Sequence, residues 1–240
     1  MEMRETRYPE FTFAFQPIVD VKMREVISYE ALVRGLANES AFQILQQVPA
    51  DTLFEFDRNA RTKAILLAMR LGIKCDINLN LLPQSLSDSP ESILSTLETA
   101  RSVGLSVKRL NLEVTEGEII NDASHFTKLM NEHRGRGLKV AIDDFGAGYS
   151  GLNLLADFQP DQVKLDMNLI RGIERHGPRQ AIVRAINQIC FDLGIDVIAE
   201  GVETELEYAW LASEGIYLFQ GYLFSKPAFE SFSSVHYPDL

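Results

Sequence analysis

The sequence predicts an α/β fold: a modified TIM (β/α)8 barrel with one antiparallel strand near the N-terminus. Three observations carry this. Apolar, β-rich runs at 11–19, 26–33, 76–82, 109–114, 138–143, 161–165, 195–199 and 216–219 alternate with segments of helical periodicity. The chain has 240 residues, the size of one such domain. The first two runs lie too close together for a crossover helix, so they form a hairpin and one strand runs against the rest.

The helices follow in order. After Asp57, a stripe of Ala60, Ala64, Leu67, Ala68 and Leu71 recurs at helical spacing. Ser89-Pro90 opens a helix through Ile93, Leu94 and Leu97, with proline at its first position. Asn121 caps one carrying Phe126, Leu129 and Met130, which stops before Gly135 and Gly137. Another, carrying Leu152, Leu154, Leu155 and Phe158, follows the glycine-rich stretch after Asp144. Pro178 opens one through Ile182, Val183, Ile186, Ile189 and Cys190, ended by Gly194. Thr204 and Glu207 have the spacing of a capping box ahead of Leu206, Ala209 and Trp210.

Composition bounds the class. With 46% hydrophobic and 24% charged residues, the chain reads as one domain over 1–240, with its core at about 11–228 and weakly anchored tails of ten residues at either end. No apolar run reaches membrane-spanning length, and the charged N-terminus lacks the apolar core of a signal peptide. Cys75 and Cys190 are far apart, without disulfide or zinc spacing. A reducing cytoplasm, with no membrane partner, is the expectation. A net charge of −11 argues against sequence-blind DNA binding. A small anionic ligand stays possible, because bound cations can reverse the local field.

Function in a barrel sits where strands end. The strand ends here carry Glu30, Asn80, Glu113, Asp143 with Asp144, Lys164 with Asp166, Glu200 and Gln220. Charged groups are rarely placed on core strands without partners. Adjacent acids at an apolar strand end need a positive charge or a proton. A cation answers this most simply, and a pair bridged by one Asp is the sharper form; a solvated Asp-Asp turn is the plain alternative. The donors are all oxygen, which selects Mg²⁺ or Mn²⁺ over Zn²⁺. Their number suits two ions ~3.5–4 Å apart, the arrangement that serves in-line phosphoryl displacement. Lys164 either polarises an attacking water or holds a phosphate oxygen. Alternation puts Asp166 on the same strand face, so the two orient one another or form a structural salt bridge. Arg34 has the fork geometry to grip a phosphate, or is a surface residue at a strand exit. Gln16 hydrogen-bonds a base or remains an edge residue. Phe145, Tyr149, Phe219 and Tyr222 read as core or rim rather than stacking platforms.

In order along the chain, Gln16-Pro17-Ile18, Glu30-Ala31-Leu32 extended to Arg34, Glu113-Val-Thr-Glu116, Asp143-Asp-Phe-Gly-Ala-Gly-Tyr-Ser150, Lys164-Leu-Asp166, Glu200-Gly-Val-Glu203 and Gln220-Gly-Tyr222 resemble the motifs of the EAL-domain phosphodiesterases that hydrolyse cyclic di-GMP. The resemblance covers about 11–228. It implies a metal-dependent hydrolase of the bacterial second messenger cyclic di-GMP (c-di-GMP), opening it to linear pGpG, with two Mg²⁺ or Mn²⁺ ions and inhibition by Ca²⁺. It implies that Glu30, Asn80, Glu113 and Asp143 hold one metal, and that Asp143 bridges to a second held by Asp144 with Glu200 nearby. Asn80 takes the ligand position when Asn78-Leu-Asn80-Leu-Leu-Pro83 is matched on Pro83, with Asn78 the register alternative. Lys164, Glu200, Asp144 and Glu30 are the implied catalytic group. Gln16, Leu32, Arg34, Asn80, Asp166, Glu203 and Gln220 are the implied substrate contacts. Glu116 fixes the loop after Asp144, a loop tied to homodimer contacts. The apolar helix at Leu152, Leu154, Leu155 and Phe158 offers surface to a symmetry mate, or packs inside its own barrel. No cyclase motif or sensory module is recognisable, so a separate sensory or regulatory partner is expected. A barrel that binds the dinucleotide without hydrolysing it is the first rival. An enolase-like barrel, with Mg²⁺ and a proton-abstracting Lys, is the second.

Overall fold

The computed structural model describes residues 7–82, 91–115, 123–147 and 151–238. Strands β1 (Phe11–Asp20) and β2 (Glu25–Gly35) form the expected antiparallel hairpin. Asp20 makes the turn: its Oδ1 accepts from the N–H groups of Lys22 and Met23 at 2.8 and 2.9 Å, the local bond that favours Asp in turns. Parallel strands follow: β3 (Asp76–Asn80), β4 (Leu110–Thr115), β5 (Lys139–Phe145), β6 (Gln162–Leu165), β7 (Asp196–Ala199) and β8 (Leu218–Phe219). β1 closes the barrel by pairing antiparallel with both β2 and β8. A short β9 (Ala228–Phe229) also pairs with β1, at Ala14 and Phe15.

The helices are α1 (Ala41–Leu45), α2 (Leu53–Arg70), α3 (Glu91–Ser102), α4 (Ala123–Arg134), α5 (Gly151–Asp157), α6 (Met167–Ile170), α7 (Gly177–Leu193) and α8 (Glu205–Ser213). The stripe on α2 buries Ala64, Leu67 and Ala68. Pro178 sits in the first turn of α7, and Gly194 ends that helix at φ 70°, a left-handed position that glycine takes without strain. Asn121 and Ser89-Pro90, the expected start signals of α4 and α3, lie outside the described residues. Strand faces that point outward bury Val, Ile, Leu and Phe against the helices. Inside the barrel, Ile18, Ile198 and Leu218 make a separate apolar plug.

Packing bears on two expectations. The four apolar residues of the α5 region do not make an exposed face: Leu154, Leu155 and Phe158 are buried, and the Phe158 ring packs edge-on against Phe126 at 5.2 Å. Only Leu152 of the four is exposed, so packing within the barrel takes most of this surface. The last ten residues are tied down as far as they are described: Phe232 packs against Tyr29 and edge-on against Phe15, and the His236 N–H donates to the Phe224 carbonyl. At the other end, Tyr8 is buried against Phe11 and Phe56.

The capping box on α8 is present, and it does more than cap. Buried Glu207 accepts from the N–H groups of Gly172, Glu203 and Thr204 at 3.0, 3.0 and 3.1 Å, with the Arg171 guanidinium beside it. Burial alone would raise its pKa; the three N–H groups and Arg171 outweigh burial and hold it below the ordinary value. A carboxylate depressed in the folded state adds stability above its unfolded pKa, about 4.3, and loses it as pH falls through the folded value. Stability is therefore expected to fall with acidification below about pH 4.3. Glu207→Gln is expected to flatten that part of the profile, read by urea unfolding at stepped pH.

Candidate active site

The barrel mouth gathers nearly every polar residue that the strand ends advertised. Lys164, on β6, is 1% exposed. Its Nζ lies 2.9 Å from Glu113 Oε1, 3.2 Å from Asp143 Oδ1, 3.3 Å from Glu30 Oε2 and 2.5 Å from Glu200 Oε1. The carboxylates come from β2, β4, β5 and the end of β7. Burial pushes Lys164 toward neutrality, but these acids prevail and hold it protonated well above the ordinary lysine value. The acids are disturbed in turn. Burial and the neighbouring Glu30 and Asp143 raise Glu113 to about 8, against the pull of Lys164 and Asn78. Burial drives Glu200 up against the pull of Lys164. Asp144 rises to about 6 through burial, Asp143 and Asp166.

Adjacent residues on a regular strand point to opposite faces, so Asp143 and Asp144 should not both reach the site. The backbone solves this with a bulge. Ile142 pairs with Val163 and Phe145 with Leu165, so the two Asp residues together stand opposite Lys164. Asp144 takes a left-handed φ of 54°, and its N–H donates to Asp143 Oδ1 at 3.0 Å. Asp tolerates this conformation better than most residues, yet at a cost typical of functional positions.

The acids fall into two overlapping groups. Glu30, Glu113 and Asp143 can bring carboxylate oxygens within 4.8 Å of one another, and so can Asp143, Asp144 and Glu200. Asp143 belongs to both. The donors suit hard divalent cations, and Glu113 Oε2 is buried without a hydrogen-bond partner, as a metal-facing oxygen would be. The residues fit divalent cations held by oxygen donors, and Asp143 is common to both groups.

Amides surround these acids. Gln220 Nε2 donates to Glu30 Oε2 at 2.7 Å and to Gln16 Oε1 at 3.4 Å, and Gln16 Nε2 donates to the Ser225 carbonyl at 3.2 Å. Asn80 Nδ2 donates to Glu30 Oε1 at 3.3 Å and Asn78 Nδ2 to Glu113 Oε1 at 2.7 Å. Gln16 and Gln220 are thus buried and chained to Glu30. Asp166 does not pair with Lys164. β6 ends at Leu165, so alternation no longer governs Asp166, which instead caps α6 by accepting from Asn168 N at 2.9 Å and lies beside Asp144. Arg34 is half-buried near Tyr222 and Glu30, its pKa lowered by burial; one Nη donates to the Val33 carbonyl. Glu203 binds Arg171 at 2.8 Å. Phe145 and Phe219 are core, while Tyr222 is exposed at the rim. Glu116, Pro83 and Tyr149 lie outside the described residues.

A cleft of about 260 Å³ opens over this cluster, lined by Gln16, Asp144, Lys164, Glu200, Glu203 and Tyr222 among others. A second, mostly apolar cavity of about 320 Å³ lies beside it, shares Glu30 with it, and is lined also by Asn80, Glu113 and Leu32. The cleft wall is tightly built. A Cβ on Gly221 would lie 2.1 Å from the Val202 carbonyl oxygen and 2.4 Å from its nitrogen. Gly221→Ala must displace backbone next to Gln220, and is expected to cost about 1–3 kcal/mol or more. Differential scanning calorimetry would show this as a lowered Tm; an unchanged Tm would mean the wall yields freely.

The model of the EAL domain matches residues 3–227. The chain belongs to the EAL domain family. It is 37% identical over 229 residues to the blue light- and temperature-regulated antirepressor BluF of Escherichia coli K12, covering 95% of this chain and 57% of that protein. It is 34% identical over 157 residues to the cyclic di-GMP phosphodiesterase PdeR of the same organism, covering 65% and 23%. The chain thus spans little more than half of the first relative and a quarter or less of the second. Among solved EAL structures, the c-di-GMP-bound form of a standalone versatile EAL protein from Vibrio cholerae O395 superposes with a TM-score of 0.91 at 44% identity, over 97% of this chain and 98% of that one. The Klebsiella pneumoniae BlrP1 manganese/cy-diGMP complex at pH 6 superposes at 0.90 and 40% identity, over 97% and 61%. The likeness to these EAL proteins agrees with the closed barrel and its reversed strand.

Proposed function

We propose that this EAL domain hydrolyses cyclic di-GMP to linear pGpG. The observation that carries the reading is the pair of acid groups sharing Asp143 around a buried Lys164. Two bound divalent cations supply Lewis-acid charge at the phosphoryl group and lower the pKa of the attacking water. The chain does the rest. Glu30, Asn80, Glu113 and Asp143 hold one cation, and Asp143, Asp144 and Glu200 the other. Lys164, held protonated, donates to the water or to a phosphate oxygen and so orients the attack. The water oxygen bonds phosphorus as the bond to the 3′ oxygen breaks. The water's proton passes to a carboxylate at the mouth, for which Glu200 and Asp144 are placed, and the leaving 3′ oxygen takes up a proton from solvent water. Arg34 grips a phosphate, and Leu32, Asp166, Glu203 and Gln16 with Gln220 shape the walls around the dinucleotide. The likeness to c-di-GMP-bound EAL structures and to PdeR supports the substrate.

Purified protein with Mg²⁺ or Mn²⁺ is expected to release pGpG, measured by ion-exchange chromatography, and EDTA to stop it. Ca²⁺ is expected to support binding with little turnover, since its larger, looser coordination misplaces the water. BlrP1 has been solved as a calcium/cy-diGMP complex, which supports the binding half. One relative favours a second reading. BluF is named a blue light- and temperature-regulated antirepressor rather than a phosphodiesterase, and a barrel that binds without hydrolysing is the second reading. Metal-replete protein that binds cyclic di-GMP and yields no product would establish this second reading. A cytoplasmic homodimer with a sensory partner belongs to the same proposal. Among the described residues no helix is long and apolar enough to cross a membrane, and BlrP1 continues well beyond the matched domain. Sedimentation of the purified chain tests the dimer.

A further inference from the structure

The carboxylates at the mouth are not free to aim themselves. Glu113 is fully buried on β4, and its Oε1 receives both Lys164 Nζ at 2.9 Å and Asn78 Nδ2 at 2.7 Å. Its Oε2 is left without a partner. Asn78 is 0% exposed on β3, one step diagonal to Glu113: its register partner on β4 is Asn111, two residues before Glu113. The Asn78 amide is itself fixed in one sense. Turning it over would set its carbonyl oxygen about where Nδ2 now meets a carboxylate. The orientation present instead leaves Asn78 Oδ1 buried with no donor. A buried, unmatched carbonyl is costly, so the bond to Glu113 must outweigh it.

We propose that Asn78 is a positioning residue for the cation site: it pins one oxygen of Glu113 so that the other faces the ion held with Glu30 and Asp143. Asn80 plays the direct part on the same strand, and Asn78 the indirect one. Lys164 alone cannot fix Glu113, because its ammonium is shared with three other carboxylates and can swing among them. The Asn78 amide has no second acid within reach among the described bonds, so its hold on Glu113 is specific. Outer partners of this kind typically change metal affinity 10–100-fold when removed.

The inference rests on the two-cation reading, and calorimetry separates the two. Metal-stripped protein is titrated with Mn²⁺ alone, without substrate. Wild type is expected to bind two ions. Asn78→Ala is expected to weaken one of them by about 10–100-fold and leave the other. Asn78→Ser, which keeps a shorter donor, should fall between, and serves if the alanine variant does not fold. Asn111→Ala is the control: also buried and directly across from Asn78, it makes no bond to Glu113, and its Mn²⁺ affinity should stay within about twofold of wild type, far inside the range for outer partners. Wild-type affinity in folded Asn78→Ala, or equal weakening in Asn111→Ala, would overturn the positioning role. Wild type that binds no Mn²⁺ would instead overturn the cation reading itself.

Discussion

Asp143→Asn is expected to remove both cation sites in a single step. The carboxylate is the only one common to both acid groups, so its loss opens each shell at once. Metal contributes several kcal/mol of charge stabilisation at a phosphoryl centre. At 1.36 kcal/mol per decade, turnover should fall by about 10³-fold or more. Mn²⁺ titration should show both ions weakened, in contrast to a ligand on one side only, such as Asn80. In EDTA the variant should be at least as stable as wild type. The mouth holds an excess of negative charge, and Lys164 keeps the acids Glu30, Glu113 and Glu200 as partners. Two Mn²⁺ ions retained at wild-type affinity would show that Asp143 is not shared.

Lys164→Met is expected to act twice. In the metal-free protein it strips the buried cation from its ring of acids. Breaking a buried pair from one side costs about 3–5 kcal/mol, so urea unfolding in EDTA should show a large loss. Mn²⁺ should restore most of it, because the ions replace the missing charge. Turnover should not recover. A positioned donor at the reacting water contributes about 10²–10⁴-fold, and that loss should fall on kcat with KM nearly constant. Recovery of both stability and kcat with metal would reduce Lys164 to a structural counter-charge.

Much of this was legible in the sequence because a barrel exposes its chemistry at strand ends, and strands announce themselves as apolar runs. Glu30, Glu113, Asp143, Lys164 and Glu200 stood out as charges closing such runs, and they converge. The hairpin was legible from loop length. What failed was whatever depends on where a strand stops or bends. Asp166 lies one residue past β6, so two-residue alternation did not apply to it. The bulge that brings Asp144 beside Asp143 leaves no signature beyond the paired acids. The apolar residues of the α5 region could face inward or outward by spacing alone; packing decides, as Phe158 against Phe126 shows. β9, two residues long, is set by contact with β1 rather than by its own pattern. Asn78 carried one usable signal, its place two residues before Asn80 on the same face of β3, though its tie to Glu113 is visible only in three dimensions.

The reversed first strand has a consequence for anything joined to this domain. Phe11 pairs with Gly35 and Asp20 with Glu25, so β1 begins beside the end of β2 and runs downward from the mouth. In an all-parallel barrel the first strand starts on the far side from the catalytic loops. Here the polypeptide enters on the catalytic side, where Arg7 meets Asp51 at the head of α2 and Tyr8 packs against Phe56. A tether fused ahead of Arg7 would therefore be anchored at the rim, on the same side of the barrel as the acid cluster. Pulling, twisting or crowding applied through such a tether would be delivered to the opening itself, with no need to travel through the body of the barrel.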